Sequence, residues 1–311
     1  MWPQTPSDDQ GLHQASLRTA LFRHLDKLLS ASPGETLRSE AINTFRFHGQ
    51  LIRPIVQTGI RKPKSMDAAL TIRTTFTPIG KEPPYQDSTD GPGLILYKHR
   101  GLDPLHPDNQ ALRTAMEKRV PLAYFVGIAS GRYLPVYPVY VVGEDSHKHE
   151  FLVEIAADGE ITNWESRTLD QSRRYSEAVV KVRLHQPVFR ARVMDAYSST
   201  CAMCHLRHPE LLDAAHILPD THLRGQPVVP NGIALCKLHH AAFDRNFIGV
   251  RPDYSIVVRQ SLIDETDGPT LLHGIQEMQD KRLVLPKAKA ARPDPERLEE
   301  RFQEFCEASG A

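Results

Sequence analysis

The chain has 311 residues, which is enough for about two domains that each bury a core, so a disordered chain is not expected. Lys plus Arg number 38 and Asp plus Glu number 38, so the formal net charge is +0 and any contact with a polyanion must come from local patches. The longest nearly uninterrupted apolar run, residues 120–129, is half of what a bilayer crossing needs, and the N-terminus lacks the features of a secretory signal. We therefore expect a soluble protein of the cytoplasm.

Residues 1–165 predict one helix followed by a mostly β domain. Leucines at helical spacing over residues 15–29 predict an amphipathic helix, which the Ser, Pro and Gly of residues 32–34 end. Between residues 44 and 155, short β-branched and aromatic segments bounded by Gly, Pro and Asp predict strands, at 69–76, 94–98, 122–128, 136–142 and 151–155. A helix beginning near Pro107 interrupts them.

Residues 166–195 predict a basic helical connector. Between positions 173 and 192 only Glu177 opposes its cations, which are Arg173, Arg174, Lys181, Arg183, Arg190 and Arg192. A second acid-free run carries Arg46, Arg53, Arg61, Lys62 and Lys64. A solvated face and contact with phosphates explain either run equally well. At the C-terminus, Asp294 as N-cap and Pro295 at the first helical position predict a final packing helix.

Three of the four cysteines lie in one short stretch. Cys201-Ala-Met-Cys204 and Cys236-Lys-Leu-His239 supply two pairs of ligands, and two such pairs presented from separate loops are the usual ligand set of a tetrahedral structural zinc. The alternative is a set of buried thiols beside an unrelated histidine. Cys306 is left over and is expected to be inert.

Between and after these ligands lie Asp213-Ala-Ala-His216, Asn231-Gly-Ile-Ala-Leu and His240-Ala-Ala-Phe-Asp244. The order His216, Asn231, His240 within this Cys and His frame resembles the HNH, or ββα-metal, endonucleases, over roughly residues 197–250. The resemblance implies a zinc-stapled ββα-metal domain within residues 196–311, and cleavage products with 5′-phosphate and 3′-hydroxyl ends.

The expected roles depend on a hairpin and a helix. If the strand ending at His216 pairs with one near residues 231–235, and a helix begins near Lys237, then His240 and Asp244 share one helical face and can hold a divalent cation. His216 would then be the general base on a water molecule, and Asn231 would fix the loop between the strands.

Each of these residues also has a structural interpretation. His216 could be a satisfied structural histidine, His240 could compete with His239 for zinc, and Asp244 could cap the helix or pair with Arg245. Asp213 should face away from His216, because it lies three residues earlier on an extended strand.

One departure from the family pattern bears on the cation. Many members carry Asp or His directly before the base histidine as a further ligand, and this chain has Ala215 there. With fewer protein ligands, the carboxylate and imidazole set favours Mg²⁺ or Mn²⁺, with Ni²⁺ or Co²⁺ as alternatives.

The β-rich region holds a second, looser set of motifs. Tyr85-Gln-Asp87, Leu94-Ile-Leu-Tyr97 and the tyrosines of residues 133–140 resemble the SET- and RING-associated (SRA) domain, a PUA-like β-barrel that flips modified cytosine out of DNA, over residues 45–160. The resemblance implies that Tyr85 and Tyr97 stack on the base and that Asp87 reads its edge, with Ser88 or Asp90 as alternatives to Asp87. The tyrosines could equally be ordinary barrel residues, and the aspartates could form a turn.

The sequence thus predicts an α+β chain with an SRA/PUA-like reader at 1–165, a helical connector at 166–195 and an HNH domain at 196–311. The predicted function is a prokaryotic, cytoplasmic, modification-dependent restriction endonuclease acting on double-stranded DNA as a homodimer, at least when bound. Alternatives are the same nuclease directed to another modification, such as phosphorothioate, or to a structured repair substrate, and a non-catalytic zinc-dependent DNA-binding protein.

Overall fold

A computed structural model of the chain describes residues 6–32, 34–77, 94–156, 184–266 and 268–309. The chain divides into two compact units, Met1–Val188 and Phe189–Ala311. This division falls inside the predicted connector, whose residues up to 183 lie outside the described part of the chain. None of the described helices is long and apolar enough to cross a membrane.

The N-terminal unit begins with the predicted amphipathic helix, α1 (Pro6–Ser30). Leu17, Leu21 and Leu25 recur at helical spacing and are fully buried. They form a core with residues of β1 (Leu37–Arg38), of the short helix α2 (Ser39–Ile42) and of the segment that follows it. The periodicity of the leucines therefore predicted the helix and its buried face, although the helix begins at Pro6, nine residues before the predicted start.

A mixed sheet makes up most of this unit. After a small hairpin of β2 (Arg46–Phe47) and β3 (Gln50–Leu51), its strands are β4 (Ile60–Arg61), β5 (Thr71–Arg73), β6 (Ile95–Lys98), β7 (Leu122–Ala129), β8 (Arg132–Asp145) and β9 (Glu150–Ile155). Their order is β4-β5-β7-β8-β9-β6, with β1 also paired to β8. Among the strand pairs of this sheet in the described residues, only β5 and β7 run parallel. The five predicted strands are confirmed, each with one or both ends shifted.

The predicted closed barrel is not shown. Within the described residues the sheet is a half-barrel, because its terminal strands β4 and β6 pair with β5 and β9 and not with each other. Tyr97 of β6 spans the interior, and its hydroxyl donates to the carbonyl oxygen of Arg73 in β5 at 3.1 Å. The residues just before β6, 78–93, lie outside the described part of the chain.

Helix α3 (Pro107–Glu117), which begins where the sequence predicts, is fastened to the sheet by a partly buried cluster of polar side chains. Arg113 donates two hydrogen bonds to the Glu144 carboxylate, at 2.7 and 2.6 Å. The Nε2 atom of His99 lies 3.0 Å from the same carboxylate. A bidentate arginine pair of this kind is among the stronger polar contacts, so α3 is held firmly on β8.

The C-terminal unit contains a hairpin and a helix that carry most of the predicted site. Its helix α4 (Gln186–Ala196) precedes β10 (Leu212–His216), which pairs antiparallel with β11 (Gly232–Cys236), and α5 (Lys237–Asp244) follows without a loop. The remaining elements are β12 (Ile248–Val250), β13 (Ile256–Val258), α6 (Gln260–Ile263), α7 (Pro269–Gly274) and α8 (Pro295–Ser309). The hairpin and helix predicted around His216 are therefore confirmed.

Two features show why this unit folds as it does. Opposite His216, a Cβ on Gly232 would lie 2.5 Å from Val193 and 2.8 Å from the Phe189 ring, so glycine is needed for α4 to pack on the hairpin. At the other end of the unit, Asp294 accepts the backbone N–H of Glu296 at 2.9 Å and caps α8 as predicted.

Candidate functional site

Four potential metal ligands meet at the base of the hairpin. The ligand atoms of Cys201, Cys204, Cys236 and His239 all lie within 4.8 Å of one another, the one such group found in the described part of the chain. The loop before β10 supplies the first two, and the junction of β11 with α5 supplies the others. The predicted ligand set thus converges in space.

The spacing within this cluster fits a tetrahedral zinc ion. Bonds of about 2.3 Å to sulfur and about 2.0–2.1 Å to nitrogen give tetrahedron edges of about 3.8 Å between sulfurs and about 3.5 Å between sulfur and nitrogen. The Sγ atoms of Cys204 and Cys236 are 3.8 Å apart. The Nδ1 atom of His239 lies 3.6 Å from Sγ of Cys201 and 3.2 Å from Sγ of Cys236.

The histidine of the cluster is held in the tautomer that a metal needs. Nε2 of His239 lies 2.7 Å from the carbonyl oxygen of Gly274 in α7, so Nε2 carries the proton and donates it. The lone pair of Nδ1 is then directed to the thiols. This contact also ties α7 to the metal cluster.

The three thiols lie so close together that they perturb one another's pKa values. Hydrogen bonding with Cys236 and His239 lowers the pKa of Cys201. Hydrogen bonding to Cys201, followed by burial, raises the pKa of Cys236, and burial raises the pKa of Cys204. Ionisation of all three neighbouring thiols is unfavourable unless a cation binds between them. A structural zinc ion would supply that positive charge.

Asn231, the middle residue of the His216, Asn231, His240 order, is fully buried beside the hairpin. Its Oδ1 accepts the N–H of Leu218 at 3.0 Å, and its Nδ2 donates to the carbonyl oxygens of Leu218 at 2.9 Å and Gln226 at 3.2 Å. Asn231 therefore fixes the backbone at Leu218, two residues after His216. These are the side-chain to backbone hydrogen bonds that the sequence predicts for this residue.

His216 is the last residue of β10, and two neighbours fix its ring. The ring stacks on Phe189 of α4, with centroids 4.1 Å apart and planes 19° apart. Its Nε2 lies 3.1 Å from Oδ1 of Asp220. The side chain keeps 22% of its surface exposed, so the imidazole is held in place and still reaches solvent.

His240 lies between two carboxylates on the exposed side of α5. Its Nε2 is 3.2 Å from Oδ2 of Asp244, the residue predicted to share its cation, and its Nδ1 is 3.4 Å from Oδ2 of Asp213. Asp213 also accepts from Lys237 at 2.6 Å. Burial opposes ionisation of Asp213, but the hydrogen bonds with Lys237 and His240 outweigh it and lower the pKa of Asp213.

Two contacts of this site were missed from the sequence. The sequence predicted only that Asp213 faces away from His216. It did not predict that Asp213 contacts His240 of α5. Asp220 was not singled out at all, although it lies four residues after His216 and contacts it. The competition of His240 for zinc, left open from the sequence, is not observed, because His239 alone joins the thiols.

The residues predicted to hold a modified base are only partly described. Tyr85 and Asp87, with the alternatives Ser88 and Asp90, lie outside the described residues. Tyr97 is 6% exposed, and its ring lies edge-on to Tyr124 with centroids 6.4 Å apart. Its surroundings in this conformation are those of an interior residue of the sheet.

Comparison with known proteins identifies the hairpin unit. Residues 201–251 match a family described as HNH endonuclease, so the chain carries an HNH endonuclease domain, and the predicted enzyme class, a DNA endonuclease, is confirmed. No curated protein sequence matches the chain. A solved structure titled "Modification dependent TagI restriction endonuclease" matches at 16% identity over 86% of this chain and 88% of that one, with a TM-score of 0.30, which is too low to transfer a property.

Proposed function

We propose that the chain is a modification-dependent DNA endonuclease of restriction type. It hydrolyses a phosphodiester bond with His216 as general base and one divalent cation held by His240 and Asp244. The observation that carries the proposal is the Asp213–His240–Asp244 chain of contacts on the helix that packs on the His216 hairpin, within a region that matches the HNH endonucleases.

His216 suits the removal of a proton from water. Its Nε2 lies 3.1 Å from the Asp220 carboxylate, and a proton on that nitrogen would leave the lone pair on Nδ1. The stacked Phe189 ring prevents rotation, and Asn231 fixes the backbone that follows. A base whose tautomer and orientation are set in advance loses less entropy when the attacking water is placed.

Asp213 and Asp244 prepare His240 from its two sides. The carboxylate of Asp213 faces Nδ1 and favours its protonated form, which leaves the lone pair on Nε2 directed toward Asp244. One imidazole nitrogen and one carboxylate oxygen are ligands for Mg²⁺ or Mn²⁺, and also for Ni²⁺ or Co²⁺. A cation bound there would neutralise charge on the phosphate and on the leaving 3′ oxygen. Asp213 is thus a positioning residue for His240.

The Cys201, Cys204, Cys236 and His239 cluster supplies structural Zn²⁺ ligation. It joins the loop before β10, the start of α5 and, through Gly274, helix α7. When bound, zinc would contribute folding free energy to the unit that carries His216 on β10 and His240 on α5. Its ligands are all protein atoms, so it has no open position for substrate.

The N-terminal unit is proposed to read a modified cytosine such as 5-methyl- or 5-hydroxymethylcytosine. Support comes from the resemblance of Tyr85, Asp87 and Tyr97 to the SRA pattern and from the exposed arginines Arg46 and Arg53, which suit contact with phosphates. Base flipping costs a few kcal/mol of unstacking, which an aromatic pocket offsets. One nuclease centre per chain leads us to propose a homodimer on DNA for double-strand cleavage.

Cleavage of matched duplexes tests the proposal. The substrates carry cytosine, 5-methylcytosine or 5-hydroxymethylcytosine at the same positions, in Mg²⁺ and in Mn²⁺. Wild type is compared with His216→Ala and with His147→Ala, since His147 is an exposed histidine far along the chain in the other unit. We expect cleavage of modified duplexes only, abolished by His216→Ala and kept by His147→Ala.

The other outcomes separate the alternatives. Equal cleavage of all duplexes would keep the nuclease and remove the cytosine reader, and phosphorothioate and branched repair substrates would then be tested in the same assay. Absence of metal-dependent cleavage, with DNA binding retained, would overturn the nuclease and leave a zinc-dependent DNA-binding protein.

A further inference from the structure

A cavity lies in the N-terminal unit, and Tyr97, the one described residue predicted to bind a base, is not among its lining residues. It has a volume of about 350 Å³. One wall is a face of α1 on which Gln14, Arg18 and Phe22 recur every four residues, and the other wall contains Asp67 and the segment between Lys118 and Pro121. Pockets for small molecules begin at about 300 Å³, so the cavity is large enough for a small ligand.

Small residues of α1 keep the cavity open. Gly11 and Ala15 lie beside the Gln14 and Arg18 positions on the helix. A Cβ added at Gly11 would meet no atom within 4 Å. A larger side chain at Gly11 would therefore project into free space rather than into the core.

Arg18 is the feature that gives this cavity a chemistry. Its side chain is buried, with 3% of the residue exposed, and Nη1 donates to the carbonyl oxygen of Pro121 at 2.6 Å. The Nε and Nη2 atoms are also buried, and in the described part of the chain they have no hydrogen-bond partner. A charged group with unused donors in a buried position is strongly unfavourable, so these donors point to a missing acceptor.

The unused atoms are the pair that recognises an oxoanion. Nε–H and one Nη2–H lie parallel along one edge of the planar guanidinium, spaced to bind two oxygens of a carboxylate or a phosphate. Burial lowers the pKa of Arg18 to about 10, which leaves the side chain positively charged at neutral pH. The acceptor that fits this edge is therefore an anion with two oxygens.

The nearby acidic residue does not fill that place. Oδ1 of Asp67 accepts from Gln14 at 2.5 Å, and Oδ2 is paired with the ammonium of Lys118. Asp67 acts on Arg18 through its charge alone, which opposes the lowering of the pKa by burial. Two cations and one carboxylate leave an excess of one positive charge around the cavity.

We propose that this cavity binds the oxoanion group of a small molecule, a phosphate or a carboxylate, bidentate on Nε and Nη2 of Arg18, with Lys118 as the second cation. Since both nitrogens are shielded from solvent in this conformation, the guanidinium has to turn toward the cavity when the ligand binds. Phe22 and Pro121 supply apolar surface for the body of the ligand. The same chemistry has a second source, a phosphate of bound DNA. The depth of Arg18 favours the free molecule, because a backbone diester has to remain at the surface.

Thermal unfolding of the full chain tests the proposal. Sodium phosphate and sodium acetate are added at constant ionic strength against sodium chloride, without divalent cations. We expect a rise in the unfolding midpoint that grows with anion concentration. Arg18→Lys keeps the charge but loses the two-nitrogen edge, and it should weaken anion binding about tenfold or more.

Two variants control this experiment. Arg23→Lys is the matched change at an exposed arginine of the same helix outside the cavity, and its unfolding midpoint should respond to the anions as that of wild type does. Phosphate salts also stabilise proteins in general, and comparison with Arg23→Lys allows that general effect to be subtracted. Ala15→Leu adds bulk at a residue that lines the cavity and leaves Arg18 unchanged. It should abolish the anion response even where an Arg18 variant fails to fold.

DNA binding distinguishes the two sources. If free anions have no effect, but Arg18→Met lowers the salt dependence of duplex binding by about one phosphate contact, the oxoanion is a DNA phosphate and the site stands. An equal response of wild type, Arg18→Lys and Ala15→Leu to the free anions, with an unchanged salt dependence in Arg18→Met, would overturn the proposal. None of these measurements depends on nuclease activity.

Discussion

Asn231 binds both polar groups of the Leu218 backbone, accepting its N–H at 3.0 Å and donating to its carbonyl oxygen at 2.9 Å. A side-chain amide thus pairs with a peptide group in the way that a neighbouring strand would. Since Leu218 lies two residues after His216, this pairing fixes the backbone just beyond the end of β10, the strand that carries the proposed general base. The loop beyond it needs no regular structure of its own.

Replacement of Asn231 should therefore affect both stability and catalysis. Asn231→Ala removes three hydrogen bonds and leaves the Leu218 N–H buried, which should cost about 2–4 kcal/mol of unfolding free energy. Urea denaturation measures this cost. Cleavage by the fraction that remains folded should also fall, because His216 loses its fixed backbone. Normal cleavage by folded Asn231→Ala would show that the amide has no part in positioning the base.

The zinc cluster offers a comparison between two cysteines of the same chain. Cys204→Ser should lose bound zinc and destabilise the C-terminal unit, because the fourth ligand of a closed site is missing. Cys306→Ser, which changes a cysteine outside the cluster, should keep one zinc per chain and normal stability. Metal analysis with denaturation by a chelator measures both. Retention of full zinc content by Cys204→Ser would contradict the assigned ligand set.

The sequence predicted those parts of the site that depend on local spacing. The Cys201 and Cys204 pair and the Cys236 and His239 pair are each fixed by a single turn of chain, so their geometry follows from the spacing alone. The strand, loop and helix around His216 followed from the order of three residues together with the resemblance of that order to a family.

Of the two contacts that the sequence did not predict, the one between Asp213 and His240 joins distant segments, whereas His216 and Asp220 are only four residues apart. Strand alternation predicts that Asp213 faces away from His216, but it does not say that α5 brings His240 against Asp213. Closure of the N-terminal sheet likewise depends on pairing between strands far apart in the chain. Such pairing has no local signature, and the barrel expected from the SRA resemblance is not shown among the described strands.

The contact between Asp213 and His240 makes a prediction for metal binding. Asp213→Asn should raise the concentration of Mg²⁺ or Mn²⁺ needed for half-maximal cleavage by about 10–100-fold, because the amide holds the His240 ring less well than the carboxylate does. Saturating metal should restore much of the rate. Asp264→Asn, an exposed aspartate of the same unit, serves as the matched control.

Lys237 requires a second control for this prediction, since Asp213 also binds its ammonium group. Lys237→Met removes that ion pair and leaves the carboxylate beside His240, so its requirement for metal should stay close to that of wild type. If Lys237→Met and Asp213→Asn shift the metal dependence equally, the ion pair rather than the orientation of His240 is responsible.

The cluster of buried His99 with the partly buried Arg113 and Glu144 predicts how the N-terminal unit responds to acid. Burial lowers the pKa of His99 below its ordinary value of 6.5, so the unfolded chain binds this proton more readily than the folded chain does. The hydrogen bonds from Arg113 lower the pKa of Glu144 below its ordinary value of 4.5. Both shifts make stability rise with pH, so acid removes stability below pH 6.5 through His99 and below pH 4.5 through Glu144.

His99→Gln separates the first of these two windows. It should flatten the dependence of unfolding free energy on pH just below 6.5, the ordinary pKa of the histidine, while the loss of stability below 4.5 remains, because Arg113 still binds Glu144. Urea denaturation of the full chain at a series of pH values measures the two slopes. His147→Gln, at an exposed histidine of the same unit, should leave both slopes unchanged. An identical pH profile for wild type and His99→Gln would show that His99 is protonated equally in the folded and unfolded chain, and that its burial beside Glu144 has no consequence for acid stability.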